Sequence, residues 1–153
     1  MSEIREVLVR GAADVGIRLG SQEAELCEKF IEFLWSYNEK LGLTGARGLE
    51  ELVYRHVIDS MTPLGTMGEW WGSGDARVVD VGSGAGFPGV VIQALRPQWR
   101  VWLIESNRRR AIFLEEAVRR LGLSAASVVR GRSEELARRA EFREAFQLAV
   151  CRG

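Results

Sequence analysis

Apolar positions follow one rule in the first half of the chain and another in the second. Between residues 23 and 41, Leu26, Phe30, Phe33, Leu34, Tyr37 and Leu41 recur at steps of three and four, which lays them along one face of an amphipathic helix. Ser21 stands before it as a candidate N-cap. A weaker pattern predicts a helix over 4–17, ended by Gly20. A third, over 49–61, puts Leu52, Val53, His56, Val57 and Ser60 on one side. Pro63 and the glycines at 65, 68, 72 and 74 then predict a break. From Arg77 short apolar runs alternate with helical stretches: strands at 77–81, 101–104, 127–129 and 146–151, helices at 88–95, 108–121 and 134–140. Strands separated by helices predict right-handed crossovers and a parallel sheet. The chain reads as α/β, with a helical cap over 1–70 and a sheet-bearing part over 71–153.

Composition narrows this only a little. A chain of 153 residues is about one domain, and no run approaches the roughly 20 apolar residues that span a bilayer. The charged opening Ser2-Glu3-Ile4-Arg5-Glu6 does not read as a signal peptide. Cys27 and Cys151, with a single histidine, form neither a disulfide framework nor a zinc site, and two buried thiols in a reducing cytoplasm are expected. Net charge is zero but unevenly spread: residues 1–70 hold 7 basic and 12 acidic side chains, residues 71–153 hold 14 and 9. A basic half suits an anionic partner such as nucleic acid; arginines solvating helix faces would look the same.

The candidate chemistry lies after the first strand. Val78-Val79-Asp80-Val81 runs into Gly82-Ser83-Gly84-Ala85-Gly86-Phe87-Pro88-Gly89. A glycine-rich turn between strand and helix lets main-chain amides approach a ligand, and Pro88 suits the first helical position. Two cofactors compete. Residues 84–89 match the dinucleotide fingerprint, and Glu105 lies 21 residues past Gly84, near the spacing of a ribose-binding acid. That register starts after the strand has ended, however. Beginning at Gly82 instead puts Phe87 where a small residue is needed, and Asp80 would repel a diphosphate. S-adenosylmethionine, with a sulfonium, an ammonium and one carboxylate, suits an acid followed by Gly-x-Gly-x-Gly better. Glu105 ends the second strand, placed for ribose hydroxyls or, more plainly, as a helix-start acid beside a Ser106 cap. Ser133 is placed to cap a helix whose first turn holds Glu134 and Glu135.

These residues carry a resemblance. The run from Val79 to Gly89, the Leu95-Arg96-Pro97 that follows, the upstream Arg55-His56-Val57-Ile58-Asp59-Ser60 and the final Ala149-Val150-Cys151-Arg152 resemble the small-subunit rRNA guanine-N7 methyltransferases, also called glucose-inhibited division protein B. The likeness covers about residues 25–153. It implies a Rossmann-like methyltransferase fold with strand order 3-2-1-4, and methyl transfer from S-adenosylmethionine to N7 of a guanine in 16S rRNA. The partner would be the 30S subunit, and the protein a cytoplasmic monomer. The resemblance places Gly82, Phe87, Ser133, Glu134 and Arg152 around the donor, with Ser133 and Glu134 at its adenine; the reading of the loop and strand ends adds Asp80, Gly84 and Glu105 to that set. Arg152 and His56 are the candidates for a catalytic part, His56 near where guanine comes in. Independently of the resemblance, Arg108, Arg109 and Arg110 are expected to bind RNA phosphates, since three cations at a helix start oppose the dipole and suggest a use beyond decorating a solvated helix.

N7 of guanine has a free lone pair, so alignment dominates and no obligate general base is expected. His56 has an equally plain reading as a helix histidine in a polar contact. Trp70 and Trp71 could stack on bases but are better expected in the joint between cap and sheet. Two features depart from the family. Gly42-Leu43-Thr44 stands where it has Asn-Leu-Thr, which removes a polar contact. The chain ends at Gly153, just past the fourth strand, where the family continues through three more. The expectation is a truncated form or fragment that binds donor or RNA but transfers poorly, with Arg152 frayed near the terminus.

Overall fold

The computed structural model describes residues 2–71 and 74–153, and the side chains of 68–71 lie outside the described residues, Trp70 and Trp71 among them. Helix α1 spans Glu3–Asp14, with Ser2 as its cap, its Oγ accepting from the Arg5 amide at 3.2 Å. Helix α2 spans Ser21–Leu41. The two are clasped by Glu28, buried on α2, which accepts from Arg5 Nε at 2.8 Å and from the Ser2 hydroxyl. Gly20, not Ser21, is the N-cap of α2, and no side chain caps it. The helix closes on Gly42 at φ 56°, the left-handed position where glycine or asparagine ends a helix. Gly42 thus fills the conformation an asparagine would take. In the preceding turn Asn38 Oδ1 accepts from the Thr44 amide at 2.8 Å.

The third helical stretch does not stop at Pro63. Helix α3 (Leu49–Leu52) runs into a π-helical segment, Val53–Ile58, and on into α4, Asp59–Trp71, with Pro63 inside it. An interior proline removes one amide donor. Around it side-chain hydroxyls take up backbone carbonyls: Ser60 Oγ donates to the His56 carbonyl at 2.5 Å and Thr62 Oγ1 to that of Ile58 at 3.3 Å.

Four parallel strands follow: β1 (Arg77–Val81), β2 (Arg100–Glu105), β3 (Ala126–Arg130) and β4 (Leu148–Cys151), in the order β3-β2-β1-β4. Helices α5 (Gly89–Leu95), α6 (Arg108–Leu121) and α7 (Ser133–Leu136) connect them. This is the Rossmann-like arrangement with the expected strand order. Side chains alternate across the sheet as the pleat requires. Val78, Val101 and Leu103 join one large core with Leu8, Phe30 and Leu114 from the helices. Val79 and Ile104 turn to the opposite face, where Leu136, Phe142 and Phe146 cover them more thinly. Helix α5 is buried on every side, as its sequence Gly-Val-Val-Ile-Gln-Ala-Leu demands, because it lies between the sheet and helices α2 and α4. Its Gln93 donates to the carbonyls of Arg96 and Pro97, which gives the Leu95-Arg96-Pro97 turn a structural role.

Some boundaries move. Pro88 is the N-cap of α5 and not its first residue. Asn107, not Ser106, caps α6, its Oδ1 accepting from the amides of Arg109 (2.9 Å) and Arg110 (3.2 Å). Arg132, not Ser133, precedes α7, which is a single turn. Cys27 is buried and its thiol is pushed up to about 12 by that burial, but Cys151 is exposed on β4. Among the described residues no helix is long and apolar enough to cross a membrane.

Candidate functional site

The loop after β1 begins as an extension of the ladder. The amides of Gly82 and Ser83 both donate to the Ile104 carbonyl, at 3.0 and 2.9 Å. Gly82 and Gly84 then take φ of 73° and 57°, in the region that favours glycine. A Cβ on Gly82 would meet nothing within 4 Å, and one on Gly84 only the Gly82 carbonyl oxygen at 3.8 Å. The main chain there is open to an incoming ligand. Gly86 and Gly89 serve another purpose. A Cβ on Gly86 would lie 2.8 Å from Val90 and 3.0 Å from the Phe30 ring; on Gly89, 2.3 Å from Leu103 and 2.6 Å from Asp80 Oδ2. Gly89 therefore brings α5 close to the strands, the role that a bulky Phe87 cannot fill.

Two acids close strands beside this loop. Glu105, buried at the end of β2, accepts from the Gly84 amide with Oε2 (2.8 Å) and from the Asn107 amide with Oε1 (2.7 Å). It ties the loop to the start of α6. Asp80 is fully buried on β1, and its Oδ2 accepts from the Gly89 amide at 2.9 Å. Its Oδ1 has no partner among the described residues. Burial is the main cause that pushes its carboxyl up to about 6; the Gly89 amide, the Ser83 hydroxyl and Arg152 oppose that rise and Glu105 adds to it.

A cavity of about 200 Å³ opens between the carboxyl ends of β1, β2 and β3. Val81, Gly82, Ile104 and Ser106 form one side, and Gly131, Arg132, Ser133 and Glu134 the other. Ser133 and Glu134 thus meet Gly82 across it. Roomier hollows lie elsewhere, one of about 380 Å³ between α1 and α3 and two of about 510 and 440 Å³ along α2 and α6. Of these four, the small one sits at the strand ends, where α/β sheets bind ligands.

The other flank of the loop is filled. The Phe87 ring is buried against Phe30 (centroids 5.4 Å apart) and His56 (5.2 Å), and the Arg152 guanidinium lies 5.2 Å from its centre. Arg152 is not frayed: Nη1 donates to the Arg55 carbonyl at 3.1 Å and to Asp59 Oδ2 at 3.2 Å, and Nη2 to His56 Nδ1. An arginine only donates, so Nδ1 is the acceptor and the neutral ring carries its proton on Nε2. Burial, then Arg152 and Arg55, hold the His56 pKa below its usual value, so the imidazole is neutral at neutral pH. The π segment supplies His56 and the Arg55 carbonyl, and Arg152 follows directly on β4. Asp59, which the spacing alone did not single out, completes the group.

Arg108 and Arg109 lie exposed at the start of α6, with Arg110 half-buried beside them, just beyond the cavity-lining Ser106. Arg132, Ser106 and Asn107 were not foreseen as site residues. Their signal was positional, one or two residues beyond a strand end.

Comparison with known proteins agrees with this geometry. The profile of rRNA small subunit methyltransferase G matches residues 23–153. Curated relatives bearing the name ribosomal RNA small subunit methyltransferase G include those of Pelotomaculum thermopropionicum (34% identical, covering 99% of this chain and 62% of the relative) and Moorella thermoacetica (33%, 100% and 62%). The Deinococcus radiodurans protein is 36% identical over 97% of this chain and 57% of its own length. The chain thus spans about 60% of the length of the curated relatives it matches.

Proposed function

The chain belongs to the rRNA small subunit methyltransferase G family, and we propose that it houses the donor-binding part of an enzyme methylating N7 of a guanine in 16S rRNA. The observation that carries this reading is the open main chain at Gly82 and Gly84 above a cavity at three strand ends, with Glu105 beneath it. Such a cradle fits S-adenosylmethionine, which supplies an electrophilic methyl group when bound.

In this reading Gly82 and Gly84 present backbone to the methionine part. Glu105 keeps lone pairs for the ribose hydroxyls beyond those given to Gly84 and Asn107. Ser133 and Glu134 flank the adenine. Asp80 acts from below, fixing Gly89 and hence the loop. Phe87 and Arg152 bound the methionine end, with His56 and Asp59 holding Arg152. The guanine nitrogen needs no deprotonation, so the protein's task is to orient it and keep it there. A neutral His56 suits that task, since it adds no charge beside the reacting atoms. Residues 1–70 act as a cap over 71–153, and Arg108, Arg109 and Arg110 meet phosphates of the RNA. The 30S subunit is then the partner, and the protein works as a monomer in the cytoplasm.

Titration calorimetry with S-adenosylmethionine and S-adenosylhomocysteine tests the donor site. Both should bind, and Glu105→Ala should weaken both about equally, by about 1.5–3 kcal/mol for a lost charged hydrogen-bond partner. Selective loss of one ligand would give Glu105 a different role, and no binding of either would end the donor reading. Transfer of a tritiated methyl group to unmethylated 30S subunits tests the acceptor.

A further inference from the structure

The groove between α2 and α6 belongs to neither cluster around the loop. It encloses about 510 Å³. Phe33, Tyr37 and Leu41 come up from α2 at four-residue steps, and Arg109, Ile112 and Phe113 from α6 at three- and four-residue steps, so the groove is the seam where two helix faces meet. Phe33 and Phe113 stack on each other, 5.2 Å between centroids and 8° between planes, and so satisfy one another. Tyr37 leans on Phe33 at 5.0 Å and keeps 36% of its surface exposed; Ile112 keeps 54%. Among the described residues only three large apolar side chains stand this exposed, and these are two of them. Apolar surface gathered at one place marks a contact site more than scattered exposure does.

The cations around the groove are the second observation. Lys40 and Arg109 line it, and Arg108 and Arg110 adjoin it; none pairs with a carboxylate among the described residues. Cations farther along the same helices are paired: Arg119 and Arg120 with Glu116, Lys29 with Glu25. Glu116 also lines the groove, but those two arginines already engage it. An exposed aromatic beside free cations is how proteins take up single-stranded nucleic acid: rings stack on bases while cations follow the backbone. The arginine end of the seam starts beside Ser106, on the rim of the donor cavity, so a strand lying here would lead to the reaction site.

We infer that this groove docks a single-stranded stretch of the RNA substrate, with an unstacked base between Tyr37 and Ile112 and its phosphates at Lys40 and Arg109. The inference rests on the RNA-methylating reading above. Anisotropy of a fluorescein-labelled, unstructured single-stranded RNA, titrated with the full chain over a series of salt concentrations, tests it. Tyr37→Ala should weaken binding about five- to a hundred-fold, the range for losing one stacked base, with an unchanged salt slope because no charge is lost. Arg109→Gln should lower the slope by about 0.7. Ile112→Ser, at an exposed position, repeats the first test if Tyr37→Ala fails to fold. Unchanged RNA affinity in Ile112→Ser and Arg109→Gln overturns the proposal. So does a result in which these variants alter only self-association in sedimentation, which would make the groove a protein interface. Donor binding by calorimetry is read on the same samples. RNA binding without donor binding removes the methyltransferase reading and leaves the groove; the reverse removes the groove alone.

Discussion

On the side of the glycine loop that faces β2 and β3, backbone lies bare over a shallow cavity, and the side chains nearby bond to main chain. On the side that faces β4, α2 and the π segment, Phe87 packs against Phe30, His56 and Arg152. The difference separates two tasks. Open backbone accepts a ligand without displacing anything. Stacked side chains drawn from α2, the π segment, the glycine loop and the residue after β4 hold one geometry, because each contact restrains the next. In the proposed reading the first side would recognise the donor and the second would set positions.

The comparison breaks most visibly at Gly84. A valine there must take a left-handed conformation that β-branched residues resist, and it places methyl groups where backbone now faces open space. Gly84→Val should abolish donor binding measured by calorimetry, while far-UV circular dichroism and cooperative unfolding persist. Retained affinity would mean that the ligand approaches elsewhere.

Asp80 sits under both sides, and its effect should be intermediate. Its carboxyl holds a proton to about pH 6 in the folded chain against an ordinary value of 3.8, so between these values folding takes up a proton. Its contribution to stability is therefore fullest below about pH 4 and is lost as pH rises through 6, by on the order of 3 kcal/mol at 1.36 kcal/mol per pH unit. Subtracting the pH profile of Asp80→Asn from that of the parent, by urea unfolding from pH 4 to 7, should expose this slope. A flat difference would show that the buried carboxyl titrates normally.

The smallest effect is expected on the positioning side. Asp59 is exposed and His56 half-buried, so Asp59→Ala should change stability by less than about 1 kcal/mol and donor affinity hardly at all. If the cluster positions Arg152 for the reaction, methyl transfer should nonetheless fall several-fold in kcat in a form of the protein that transfers, with the unfolding midpoint unmoved. Unaltered kcat would reduce the cluster to a structural tie.

Strands were legible in the sequence because apolar runs between turn residues have few alternatives, and helix α6 was read end to end from its strong periodicity. Helix α4 was misread because a proline inside a helix costs one amide donor without ending the helix; the Ser60 and Thr62 hydroxyls bond the His56 and Ile58 carbonyls one turn back, not the Asp59 carbonyl that an amide at 63 would serve. Glu105 was legible from its distance to the loop, whereas its grip on the Gly84 and Asn107 amides was not, since that depends on loop geometry. The contact of Arg152 with His56 joins positions 96 apart, and no local spacing encodes it. The burial of Asp80 was equally hidden: strand alternation tells which face a residue takes, but not that Gly89 brings a helix down upon it.

The π segment has a consequence for the angular phase of the cap. Tyr54 and Ile58 turn toward α1, where they meet Gly11, while Met61 and Leu64 belong to the stretch that meets α5. An α-helix turns about 100° per residue, so one residue deleted from Val53–Ile58 would rotate everything before it by about that angle relative to everything after it. Either the α1 seam or the α5 seam could then mesh, but not both. The wide turn acts as a gear spacer that lets one continuous rod engage two partners whose faces are out of step.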